Sequence, residues 1–91
     1  MRYSRNNLKC HELIGLEVSV LEHSDKRLEG LSGLVVWETK NMLVVEASDR
    51  EFKVSKRFGR FSFKLPSSDS LVIVEGEEIL DNPEERVKMC W

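Results

Sequence analysis

The residues in this chain best placed to do chemistry are cations interleaved with rings. The segment FKVSKRFGRFSFK (52–64) carries Lys53, Lys56, Arg57, Arg60 and Lys64 among Phe52, Phe58, Phe61 and Phe63, around Gly59. Phosphodiester chains are held by cations, and unpaired bases stack on exposed rings, so this mixture points to nucleic acid. Strand alternation then divides the run. Phe52 and Val54 take one parity within 51–55, Phe61, Phe63 and Leu65 one parity within 60–65, and these are expected in a core, while Phe58 falls in a loop. The cations are therefore better ligands than the rings, and contacts from Lys56, Arg57, Arg60 and Lys64 would give salt-sensitive, backbone-directed affinity.

Other chemistries find little support. Hydrolysis needs a nucleophile and base, a carboxylate pair or a metal cluster that converges. His11 and His23 are the only imidazoles, neither sits in a motif, and both read as surface or packing residues. Cys10 and Cys90 lie near opposite ends without C-x-x-C spacing, so both are taken as structural and no metal site is expected. Glu75, Glu77 and Glu78 read as a solvated turn. GLSG (30–33) lacks the spacing of a phosphate-binding loop and precedes a strand, which makes it a turn. No catalytic residue is assigned.

The formal net charge of −2 conceals strong segregation. Residues 1–11 hold Arg2, Arg5 and Lys9 with no acid, and 50–64 hold six cations against Glu51. Residues 65–85 hold seven acids and no base. A protein with one positive and one negative face can bind a polyanion despite its average, and Arg2, Arg5 and Lys9 join the candidate RNA contacts on that ground.

The elements that must position these groups are short strands. Leu16–Glu22, Gly33–Glu38, Met42–Ala47, Glu51–Ser55, Phe61–Leu65 and Leu71–Val74 are β-branched or alternating runs separated by turn residues. Thr39-Lys40-Asn41 suits a tight hairpin, with Asn41 tolerating the left-handed conformation. Six strands with close turns predict an all-β fold, a small Sm-like (SH3-like) antiparallel barrel. GLVVWE (33–38) and LVIV (71–74) are apolar on both parities, so their outer faces need a cover.

Both ends read as helical. Asn82-Pro83-Glu84-Glu85 supplies an N-cap, a first-turn proline and dipole-favoured carboxylates, and Leu8, Leu13 and Ile14 form a weak stripe. The predicted organisation is one domain over 91 residues: an N-terminal helical segment (1–14), a barrel (15–75) and a C-terminal helical segment (76–91). A chain of this size buries only roughly 60–65% of its unfolded surface, so a permanent partner would help it. Leu8, Leu13, Val36 and Val87 are candidates to pack against a second subunit or against each other. No run approaches the ~20 apolar residues that span a bilayer, the N-terminus is polar, and a cytoplasmic location is expected.

Specific strings then match a family. HELIGLEVSV (11–20), GLSGLVVWETKNMLVVE (30–46), FSFKLP (61–66) and EGEEILDNPEER (75–86) resemble the protein component 1 family of archaeal ribonuclease P. The resemblance implies an Sm-like barrel with terminal helices, in an RNA-binding subunit of the ribonucleoprotein that removes 5′ leaders from precursor tRNA. It further implies that the RNA holds the active site and its Mg²⁺, with no cofactor on this chain. The implied partners are that RNA's specificity domain, a zinc-ribbon protein subunit, the other ribonuclease P proteins and, indirectly, precursor tRNA. Glu38-Thr39-Lys40-Asn41 corresponds to the family's marker turn, which adds Lys40 and Asn41 as RNA contacts, and Arg86 ends its C-terminal motif. Trp37 departs from the polar residue expected there, and an outward indole would mark a contact surface. The competing readings are a generic Sm-like, RNA- or ribosome-associated interaction module and an independent small ribonuclease.

Overall fold

A computed structural model of the chain describes residues 13–65 and 70–80. Six strands form where alternation places them: β1 (Glu17–His23), β2 (Ser32–Glu38), β3 (Met42–Ala47), β4 (Arg50–Ser55), β5 (Gly59–Lys64) and β6 (Leu71–Glu75), followed by a 3₁₀ turn, Gly76–Ile79. Outward side chains of β2 and β6 stay in solvent among the described residues: Leu34 and Trp37 of β2 and Leu71 and Ile73 of β6 are exposed. The indole of Trp37 points outward.

One turn departs from expectation. In the β2–β3 turn, Thr39 N–H donates to the Met42 carbonyl (2.9 Å) and Met42 N–H to Thr39 Oγ1 (3.2 Å). Asn41 is not left-handed there. The positive φ values instead fall on Ser48 (51°) and Asp49 (62°), the two central residues of the β3–β4 hairpin, and on Phe58 (69°). A two-residue loop with both residues left-handed matches the twist of the strands it joins, which is why Arg50 already sits opposite Ala47.

The strands make one antiparallel sheet in the order β4-β3-β2-β1-β5-β6. It is not the closed barrel predicted: among the described residues no ladder joins β4 to β6. The sheet curls instead, helped by register shifts between Val20 and Glu22 and between Val35 and Trp37, since bulges add local twist. Where the curl brings its ends together, contact is made by a corner and a turn, not by strand pairing. Lys56 N–H donates to the Asn41 carbonyl (2.8 Å), and Gly76 lies so close that a Cβ on it would meet the Lys56 carbonyl oxygen at 1.5 Å.

The concave side holds the core, including Val18, Val20, Val35, Leu43, Val45, Val54, Phe61, Phe63, Val72, Val74 and Ile79, all buried. Leu13 belongs to it, fully buried. It therefore offers no surface to a partner, contrary to the sequence-based assignment. Nor are Leu13 and Ile14 helical. Ile14 and Gly15 form a turn, with Gly15 at φ 95° and Leu16 N–H on the Leu13 carbonyl (3.1 Å). Gly15 N–H to Val35 O (2.8 Å) and Val35 N–H to Leu16 O (3.0 Å) tie this arm to β2. The expected helical segments, with Leu8, His11, Val87 and both cysteines, lie outside the described residues apart from the 3₁₀ turn.

His23 is a packing residue, as expected. Its Nε2 donates to the Ser55 carbonyl (2.9 Å) and its Nδ1 accepts from Asp25 N–H (2.9 Å), a pattern that a neutral Nε2–H imidazole satisfies at both nitrogens. The β1–β2 loop neutralises its own charges. Arg27 gives its side chain (3.1 and 3.0 Å) and its backbone N–H (3.0 Å) to Asp25, holding that carboxyl below its ordinary range. Glu29 is held low by the His23 backbone N–H (3.2 Å) and by Lys26 (3.3 Å).

Candidate nucleic-acid interface

Lys56 is not on the surface. Its side chain is fully buried, and Nζ lies 2.6 Å from Oε2 of Glu38, whose side chain is also fully buried. A buried ammonium is tolerable only when paired and hydrogen-bonded, so this cation is committed to the fold and unavailable to a phosphate. The RNA contact assigned to Lys56 is therefore withdrawn. The signal was present in the sequence, since Lys56 shares parity with Phe52 and Val54.

The buried lysine organises a corner. Its N–H engages Asn41 in the β2–β3 turn, its ammonium engages Glu38 at the end of β2, and its carbonyl faces Gly76 after β6. His23 adds the end of β1 by holding the Ser55 carbonyl, and Ser24 N–H donates to the Phe58 carbonyl (3.2 Å). Lys40 and Arg57 flank the Asn41–Lys56 hydrogen bond in sequence, so they project from one place. Both are exposed.

The other candidate cations sort by their partners. Arg60 donates through Nε to Glu75 (2.8 Å) and through a terminal nitrogen to Glu22 (3.2 Å), contacts that raise its pKa further. Lys64 sits 3.7 Å from Glu17 across the β1–β5 ladder. These two are largely balanced by acids on neighbouring strands. Lys53, which the sequence reading did not assign as a ligand, stands exposed on the outer face of β4, opposite Val44, which in turn lies opposite Trp37. Outward parity in EFKVS was the available signal. Arg50 is exposed too, its guanidinium 5.5 Å from the centroid of the Phe52 ring. Among the described residues, the exposed cations that form no ion pair are thus Lys40, Arg50, Lys53 and Arg57, with Asn41 exposed beside Lys40. Arg2, Arg5, Lys9 and Arg86 lie outside the described residues.

Residues 6–89 match the family model described as ribonuclease P/MRP, subunit p29. The chain belongs to that family. Ribonuclease P protein component 1 of Staphylothermus marinus is 46% identical over 89 residues, covering 97% of this chain and 96% of that protein. The same component of Methanosarcina acetivorans is 44% identical over 92 residues, covering 91% and 84%. The solved structure of Mth11, a homologue of the human RNase P protein Rpp29, superposes with a TM-score of 0.62 at 42% identity, covering 84% of this chain and 97% of that one. In this p29-family chain the marker turn Glu38-Thr39-Lys40-Asn41 has a structural function in every residue but one. Glu38 pairs with Lys56, Thr39 closes the hairpin and Asn41 receives the Lys56 N–H, which leaves only Lys40 pointing away from the fold with its charge.

Proposed function

We propose that this chain is the RNA-binding protein subunit of ribonuclease P, supporting the catalytic RNA in removal of 5′ leaders from precursor tRNA. The family match over almost the whole chain carries this reading. The corner bearing Lys40 and Arg57, with Lys53 on the adjoining face, supplies a surface of the right charge. The RNA and its Mg²⁺ perform the cleavage, and this chain contributes no catalytic group. Its contact is with the RNA's specificity domain, in the cytoplasm. The zinc-ribbon subunit is assigned to the outer face of β2, where Val36 is half-buried and Leu34 and Trp37 are exposed. Such an arrangement covers the apolar side of that strand, and the other ribonuclease P proteins and precursor tRNA complete the particle.

The RNA surface has a direct test. Replacing Lys40, Lys53 and Arg57 together by alanine removes three cations that are not needed for folding. If each meets a phosphate, the slope of log K against log salt becomes shallower by roughly 0.7–0.9 per cation removed. Filter binding of the ribonuclease P RNA across a potassium chloride series should show that flattening, with weaker binding at low salt. An isotherm identical to the parent's would move the RNA to another face.

A further inference from the structure

Phe58 is a large apolar side chain that the fold holds out in water. It is 70% exposed, and its backbone sits at φ 69°, a conformation that glycine or asparagine adopts at far less cost than a bulky residue. An exposed ring in a strained backbone gains nothing from packing, and such outliers cluster where ligands are gripped. The ring cannot retreat. Ser24 N–H holds its carbonyl, Ser55 Oγ holds the Arg57 carbonyl (3.3 Å), and the interior behind Gly59 is filled: a Cβ there would meet Phe61 at 2.7 Å and His23 at 2.9 Å.

Two kinds of group neighbour the ring. In sequence it follows Arg57, the cation next to Lys56, whose backbone N–H binds the Asn41 carbonyl beside Lys40. In space it lines a shallow cavity of about 320 Å³ together with Glu22, Arg60, Glu75 and Glu77. Arg60 is already taken by Glu22 and Glu75, so carboxylate oxygens dominate that wall. They repel a phosphate, yet they accept hydrogen bonds from the amino groups of a base edge. Cations for phosphates, an exposed ring for a base and carboxylates for a base edge are together the groups that a single-stranded nucleotide site needs.

We propose that Phe58 is a stacking platform for one unpaired base of the bound RNA, with Arg57 and Lys40 holding the adjacent phosphates. This rests on the RNA-binding reading above and adds that the RNA is unpaired where it meets this corner.

The test uses the full chain with two fluorescent probes, a short single-stranded RNA of mixed sequence and the same strand annealed to its complement, titrated by anisotropy. Phe58→Ala and Phe58→Gly should each weaken single-strand binding roughly 5- to 100-fold, the range that loss of one base–aromatic stack produces. Duplex affinity and the salt slope should not change, and Phe58→Trp should retain binding. Thermal melting should show Phe58→Gly at least as stable as the parent, because glycine relieves the left-handed backbone. Three results would overturn the proposal. Unchanged single-strand affinity in Phe58→Ala, with weaker binding in Arg57→Ala, would leave the RNA surface standing without a stack. Loss of both binding and stability in Phe58→Gly would make the ring structural. Failure of the parent to bind either probe at low salt would remove the RNA reading and the platform together.

Discussion

Lys56→Ala is expected to destabilise the protein by about 3–5 kcal/mol, the range observed when one member of a buried ion pair is removed. The loss arises from what remains. With Nζ gone, the fully buried Glu38 carboxylate loses a cation 2.6 Å away and must reorganise around the space it leaves. For a domain of this size each kcal/mol shifts the melting temperature by roughly 4–8 °C, so a fall of more than about 10 °C is expected. Urea denaturation should show the same change as a lower midpoint. The double variant Glu38→Leu with Lys56→Met should recover most of the loss, because a well-packed apolar pair avoids the desolvation that the ion pair had to offset. Arg57→Ala, one residue along, should change stability by no more than about 0.5 kcal/mol, as exposed substitutions usually do. A Lys56→Ala variant melting within a few degrees of its parent would place the ammonium in solvent and restore it as a possible RNA ligand.

The second large effect belongs to Gly76→Ala. A methyl there would sit 1.5 Å from the Lys56 carbonyl oxygen, 2.5 Å from its carbon and 3.1 Å from the Gly59 carbonyl oxygen. All three neighbours are backbone, so no side chain can swing aside. Overpacking a well-filled site costs about 1–3 kcal/mol when side chains can adjust. Here the 3₁₀ turn and the β4–β5 corner must separate, and a loss of at least about 3 kcal/mol is expected in urea denaturation, with faster exchange of the Lys56 amide. Gly15→Ala and Gly30→Ala make the contrast. Both glycines have open space around the missing Cβ but lie at φ 95° and 84°, so each substitution should cost only the conformational penalty of about 1–2 kcal/mol. Equal losses at all three positions would mean that the corner is not the closure.

These two residues also show where reading the sequence stopped. Strand positions were legible because Val18, Val20, Phe61, Phe63 and the β-branched runs of β2, β3 and β6 alternate or cluster between turn residues. Lys56 has the parity of Val54 and was readable as inward. What hid the pair was Glu38. Simple alternation from Val35 puts residue 37 inside and 38 outside, and the register shift before Trp37 reverses this, sending the indole outward and the carboxylate into the core. A bulge is a property of two paired strands and cannot be counted along one. The same holds for the open sheet. Short strands and close turns are compatible with closure, but whether the end strands pair depends on how the corner at Lys56 and the turn at Gly76 meet. Of the candidate cations, charge counting found Arg57 and the family resemblance added Lys40; neither assigned Lys53, and neither could foresee that Arg60 and Lys64 face acids on neighbouring strands.

Under the proposed function, the chemistry resides in an RNA that this curled sheet supports. The most direct measurement is cleavage of precursor tRNA by a particle reconstituted from the ribonuclease P RNA and its protein subunits, at limiting Mg²⁺, with this chain present, omitted and added back. The expected result is a rate that falls on omission and returns on addition, with no cleavage by the chain when the RNA is left out. A rate indifferent to omission, or cleavage by the protein without RNA, would contradict it.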